Sequence, residues 1–136
     1  MMKRVLILFL AIGFCVGCGD GRPRRYPVMG TLLIDGKPAE LPENFIGVAA
    51  VTFRPESGGR DAYANLNPDG TFQVGNYGVE DGCPLGKFQV AVQFYKLVGS
   101  VKKSLIPLRY EEYATSGLGV TIDKETRNVT IEISSQ

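Results

Sequence analysis

Three side chains in this 136-residue sequence could form a covalent bond through sulfur: Cys15, Cys18 and Cys83. The most telling of them is Cys18. It follows Val16-Gly17, which closes a segment made of a cationic start, Lys3-Arg4, and an apolar run from Val5 to Phe14. A positive n-region, an apolar stretch of about ten residues and a small-residue cut site are the parts of an export signal, and the run is too short for a spanning helix. Residues 1–17 therefore read as removed, 18–25 as a tether linker and 26–136 as one folded domain. The new N-terminal residue would be a thiol, open to acylation at sulfur and at its amine.

That arrangement resembles the bacterial lipoprotein signal, whose lipobox places an aliphatic residue three before the cysteine and a small one just before it. Cys18, after Gly17, fits the pattern, whereas Cys15 follows the bulky Phe14 and stands where the family prefers Leu; Cys15 stays open as the alternative lipid site. The resemblance implies palmitate-type acylation of Cys18 and a membrane as partner. Two or more acyl chains hold stably where one is marginal. With Gly19 rather than Asp next, it implies the outer membrane over the inner. An ordinary secretory peptide, or a Cys15–Cys18 disulfide, is the plain alternative.

Other chemistry is thin. There is no histidine, which excludes Ser-His-Asp and Cys-His nucleophiles and histidine-based zinc sites. Glu80-Asp81 beside Tyr77 is the best carboxylate constellation for a hydrolase. Adjacent residues on an extended chain point apart, however, so solvated charges are the plainer reading of it and of Glu111-Glu112. Asp61, Asp69 and Glu80-Asp81 could supply oxygens to calcium, without a recognised spacing. Neither a metal nor a cofactor is expected. Tyr77, Tyr110 and Tyr113 are the candidates for stacking on an envelope glycan; the plainer reading has tyrosines capping a core with the hydroxyl in water. Lys37 and Asn128 are poor partners for an amide crosslink.

Loss of Lys3 and Arg4 takes the formal net charge from +1 to −1, so no nucleic-acid partner is implied. Arg22, Arg24 and Arg25 read as a solvated, proline-stiffened spacer, or as cations leaning on anionic headgroups. Cys83 has no partner once Cys18 is acylated, and is expected to be buried.

Short β-type runs broken by Gly, Pro, Asn and Asp, with no long helical period, must position these residues. Val28 to Ile34 is a first strand ending at the Asp35-Gly36 turn, and Ile46 to Arg54 a second with Phe53 deepest. Asp61 to Asn67 and Thr71 to Gly75 form a hairpin around Pro68-Asp69-Gly70. Phe88 to Phe94 is the central strand. Lys96 to Ile106 reads as a long loop, Ile106 to Ser116 as a loop or one helical turn, and Leu118 to Ile122 with Asn128 to Ile133 as a closing hairpin. The expected core is Val28, Leu32, Phe53, Phe72, Phe88, Val90, Val92, Ile131 and Ile133. The class is all-β, a β-sandwich of about seven strands, Ig-like in outline.

Pro27-Val28-x-Gly30 with Asp35-Gly36-Lys37-Pro38, then Val51-Thr52-Phe53-x-Pro55, Asp69-Gly70-x-Phe72, Pro84-x-Gly86-x-x-x-Val90, Ile106-Pro107-x-x-Tyr110 and Ser116-x-Leu118 resemble small bacterial lipoproteins with a carboxypeptidase regulatory-like, transthyretin-like domain. The resemblance spans about Tyr26 to Ile133, departing in the insertion Ala39 to Ile46. It implies a Greek-key, prealbumin-like sandwich in the cell envelope and no enzymatic activity. The function it leads to is a lipid-anchored structural or binding module, with a glycan-binding module or a hydrolase as alternatives.

Overall fold

The computed structural model describes residues 21–136. They form two β-sheets packed face to face, as the alternation of apolar residues requires. The first sheet is built on β1 (Met29–Ile34), which turns through Asp35-Gly36 into the two-residue β2 (Lys37–Pro38). Asp35 and Gly36 have φ of 52° and 82°, the left-handed pair that a two-residue hairpin demands. On that same edge β1 also pairs with β5 (Thr71–Gln73), and on its other edge it runs parallel to β9 (Asn128–Ile133) through six residue pairs.

The second sheet is organised by β6 (Gly86–Val98), thirteen residues long. One edge pairs with β3 (Gly47–Pro55) from Gly47 opposite Lys96 to Pro55 opposite Phe88, and β3 then pairs with β4 (Ala62–Asn65). The other edge is shared: the first half of β6 pairs with β8 (Leu118–Ile122), the last four residues with β7 (Val101–Ser104). Between β7 and β8 lie a 3-10 turn, Leu108–Glu111, and one helical turn, Tyr113–Ser116.

The nine expected core residues all lie in this interior, none more than 4% exposed. At its centre the Phe53 ring meets Phe72 at 6.1 Å and Phe88 edge-on at 6.5 Å. Gly30 makes room for this cluster, since a Cβ there would sit 2.3 Å from the tip of Phe72. The insertion after β2 closes one end of the sandwich: Ala39 is buried, and the Phe45 ring packs 5.8 Å from Phe94.

Three local expectations are corrected. Lys96 to Ser104 is a hairpin turning at Gly99 and Ser100 rather than a loop; its lysines conceal the pattern because they ride the exposed edge. The β4–β5 hairpin forms, with Tyr63 and Gly75 exchanging backbone hydrogen bonds, yet its arms belong to different sheets. β8 and β9 do not pair. The five residues between them carry the chain from one sheet to the other, where β9 finds β1.

Candidate functional site

At the end of the sandwich where β6 begins, the segment preceding β1 is bound to the loop between β5 and β6. Tyr26 and Cys83 exchange backbone hydrogen bonds at 2.9 and 3.0 Å. Gly82, at φ 92°, permits this approach: a Cβ on it would lie 2.5 Å from the Tyr26 carbonyl oxygen. Asp81 organises the loop, accepting from the Asn76 N–H at 2.7 Å and the Gly78 N–H at 2.8 Å, and pairing with the Arg25 Nε at 3.3 Å. Desolvation pushes its carboxyl up, but those hydrogen bonds and the Arg25 charge outweigh it and hold the group below the ordinary aspartate value. The buried Asn76 amide donates to the carbonyls of Arg60 and Asp61 at 3.0 and 3.2 Å, fixing the β3–β4 loop to the same corner.

These contacts converge on Tyr77. The guanidinium carbons of Arg22, Arg60 and Arg25 lie 4.7, 5.0 and 5.2 Å from its ring centroid, and Arg24 lies 5.3 Å from the Tyr26 ring. Guanidinium groups over tyrosine faces are held by the ring quadrupole. The Arg25 Nη1 is buried without a hydrogen-bond partner. Two cavities flank Tyr77 and Arg60, one of about 290 Å³ reaching Tyr63 and Val79, the other of about 260 Å³ reaching Pro23, Ser57 and Leu85. The arginines that read as a solvated spacer are thus laid onto aromatic rings of the domain.

The other candidates have contacts of their own. Tyr110 is buried at 6% exposure, so its ring offers no face to a ligand. Its hydroxyl oxygen accepts from the Ser134 N–H at 3.0 Å and the Arg109 Nη2 at 2.8 Å, and the Ser134 bond, more than any other cause, lowers its pKa. Tyr113 lies beneath the Arg54 guanidinium at 4.2 Å and donates to Asp61 at 3.4 Å; burial raises its pKa. The buried Tyr110 joins no platform with Tyr77, whereas Tyr113 bonds Asp61, which lines the cavity beside Tyr77.

Glu80 is exposed at φ 57° while Asp81 is engaged with Arg25 and two amides, so this pair of carboxylates does not share a site. Glu111 pairs with Lys102 at 3.0 Å. Asp69 is held by Thr71, and the Asp61 carboxylate lies near Arg54 at 3.6 Å. No group of three metal-ligating side chains occurs among the described residues. Cys83 is 1% exposed, with desolvation pushing its thiol up to about 12, and it stays neutral. Lys37 and Asn128 are both exposed. Cys18 and Cys15 lie outside the described residues.

Reading the sequence missed Arg60 and Asn76, which lie far along the chain from Arg22 and reach Tyr77 only through the fold. The sole advance signal was the glycine-rich stretch Gly75 to Gly86, where a chain must approach another closely. Fold and site together define a two-sheet, all-β protein with an arginine-tyrosine cluster at one end. No family model, curated protein or solved structure matches the chain. No helix among the described residues is long and apolar enough to cross a membrane.

Proposed function

We propose that the chain is a cell-envelope lipoprotein acylated on Cys18, and that its sandwich, of Greek-key prealbumin type, is a non-catalytic structural or binding module held at the outer membrane. The observation that carries this reading is the run Val16-Gly17-Cys18 after a cationic start and an apolar segment, directly upstream of a chain already packed on the domain from Arg22 onward. The regulatory-like resemblance is supported by where its residues fall: Asp35-Gly36 and Asp69-Gly70 occupy turns, and Gly30 and Phe72 interlock. A buried, neutral Cys83 leaves the upstream cysteines as the thiols open to modification.

Intact mass of the membrane fraction tests it. The expected species lacks residues 1–17 and carries a diacylglyceryl group on Cys18; the acyl mass increment should be absent from Cys18→Ser and kept in Cys15→Ser. An unmodified parental mass, or an acyl increment that persists in Cys18→Ser, overturns the assignment.

The cavities on either side of Tyr77 favour a second reading, an envelope-glycan site at that ring. It predicts retention on insoluble envelope glycan that is lost in Tyr77→Ala and kept in Tyr110→Phe.

A further inference from the structure

The Tyr77 end carries two exposed arginines outside any ion pair among the described residues. Asp81 takes Arg25 and Asp61 takes Arg54, while Arg24 and Arg60 make no ion pair among the described residues. The other exposed carboxylates on the same two loops are Glu80 and Glu56. Beside these arginines, apolar surface is left in water: Val79 is 79% exposed, and Tyr63 and Leu85 are exposed as well. Val79 lines the same cavity as Arg60, Tyr63 and Tyr77. Arginine heads, tyrosine rings and an aliphatic tip in one patch are the side-chain types that partition to a bilayer interface. The cation meets phosphate, the ring sits at headgroup level and the aliphatic residue reaches the acyl boundary.

We propose that this end docks on the surface of an anionic phospholipid bilayer, with Arg24 and Arg60 toward the headgroup phosphates and Val79 toward the acyl boundary. The choice of a bilayer follows from charge complementarity and from where the chain enters. Residues 1–20 join the domain at this end, at Gly21. The inference rests on acylation at Cys18, whose three residues to Gly21 span at most about 10 Å of extended chain. The Tyr26–Cys83 bonds and the rings under Arg22, Arg24 and Arg25 fix that entry to the domain. A short tether leaving a fixed point holds the arginine patch at the surface. The turn at Gly99 and Ser100, at the other end of β6, then stands about 40 Å away along the strand, at about 3.3 Å per residue.

The chain has no tryptophan, so Val79→Trp and Val101→Trp each create a single reporter at exposed positions on opposite ends. Each is made in the acylated mature chain and in its Cys18→Ser form, and mixed with vesicles of phosphatidylethanolamine containing one third phosphatidylglycerol, or of phosphatidylcholine alone, both with brominated acyl chains. On the anionic vesicles the Val79→Trp emission should shift to the blue and be quenched several-fold more than Val101→Trp, with the shift weakening in high salt. In the Cys18→Ser background, Arg24→Glu and Arg60→Glu should each lower partitioning at least about fivefold, the equivalent of about 1 kcal/mol per basic residue near the surface. Equal quenching of the two reporters, quenching of neither, or an equal Val79→Trp shift on neutral vesicles overturns the proposal. The mass of the mature chain decides acylation separately, and the Cys18→Ser arm decides the docking face whichever way that mass falls.

Discussion

The two ends of β6 are built on opposite plans. Backbone approaches backbone closely at both, a Cβ on Gly75 or Gly82 falling 2.2 or 2.5 Å from a carbonyl oxygen and one on Gly47 2.0 Å from that of Tyr95, but where the strand begins the buried side chain of Asn76 also ties two loops together. Where the strand ends, β6 and β7 leave the sheet as a two-stranded hairpin. Leu97, Val98 and Val101 are exposed there, as is Ile46, and Lys102 and Lys103 mark the free edge. A two-stranded ribbon is marginal by itself. One plan holds the chain's entry in a single geometry; the other ends in a turn at Gly99 and Ser100 whose apolar neighbours lie in water.

The sharpest way to break this contrast is Phe88→Ala. Phe88 is 2% exposed at the braced end and edge-on to Phe53, so truncation should cost about 3–5 kcal/mol in urea or guanidinium unfolding. A parental midpoint would show that the core does not rest on this ring. Gly82→Ala follows. Its left-handed φ and its contact with the Tyr26 carbonyl should together cost about 2–3 kcal/mol, with faster amide exchange at Tyr26 and Cys83. Asp81→Ala removes the acceptor of two amides and the partner of Arg25, all partly in water, and should cost about 1–2 kcal/mol.

The same carboxylate gives a pH test. Asp81, with Asp35, Asp69 and Asp123, is held below the ordinary value of 3.8. Groups with a depressed folded-state pKa contribute stability that is present above 3.8 and is lost as pH falls through their folded values. The Tm should therefore be flat from pH 7 to about pH 5 and decline below about pH 4, and Asp81→Asn should make that decline shallower. At the opposite end, Val101→Thr should change stability by less than about 0.5 kcal/mol, and amides of residues 98–101 should exchange far faster than those of Tyr26 and Cys83. A large cost there would dissolve the distinction between the ends.

What could be read from the chain alone was the chemistry of turns and alternation. Asp35-Gly36 and Pro68-Asp69-Gly70 announce their turns because few residues adopt those backbone angles, and Phe88 to Phe94 announces a central strand by its period of two. Partition between sheets was not legible. Asp123 to Arg127 has the length of a hairpin loop, and the Asp123 carboxylate accepts from the amides of Glu125 and Thr126 as it would in one. Only packing against β1, far away in sequence, turns β9 into the other layer. The β7 edge was hidden by Lys102 and Lys103. The Tyr77 cluster was hidden because cation–π contacts have no sequence spacing: Arg22 and Arg25 reach the ring from the chain's entry, Arg60 from a loop between strands.

The parallel ladder between β1 and β9 bears on biogenesis. One edge of β1 stays open until a segment far along the chain has been made, because its partner there runs from Asn128 to Ile133. Until then Leu32 and Val28 lack the cover of Ile131 and Ile133, and a nascent chain cannot close its interior early. Non-local pairing of this kind delays folding. On the proposed reading of an exported lipoprotein, such delay keeps the chain fit for passage through a translocon.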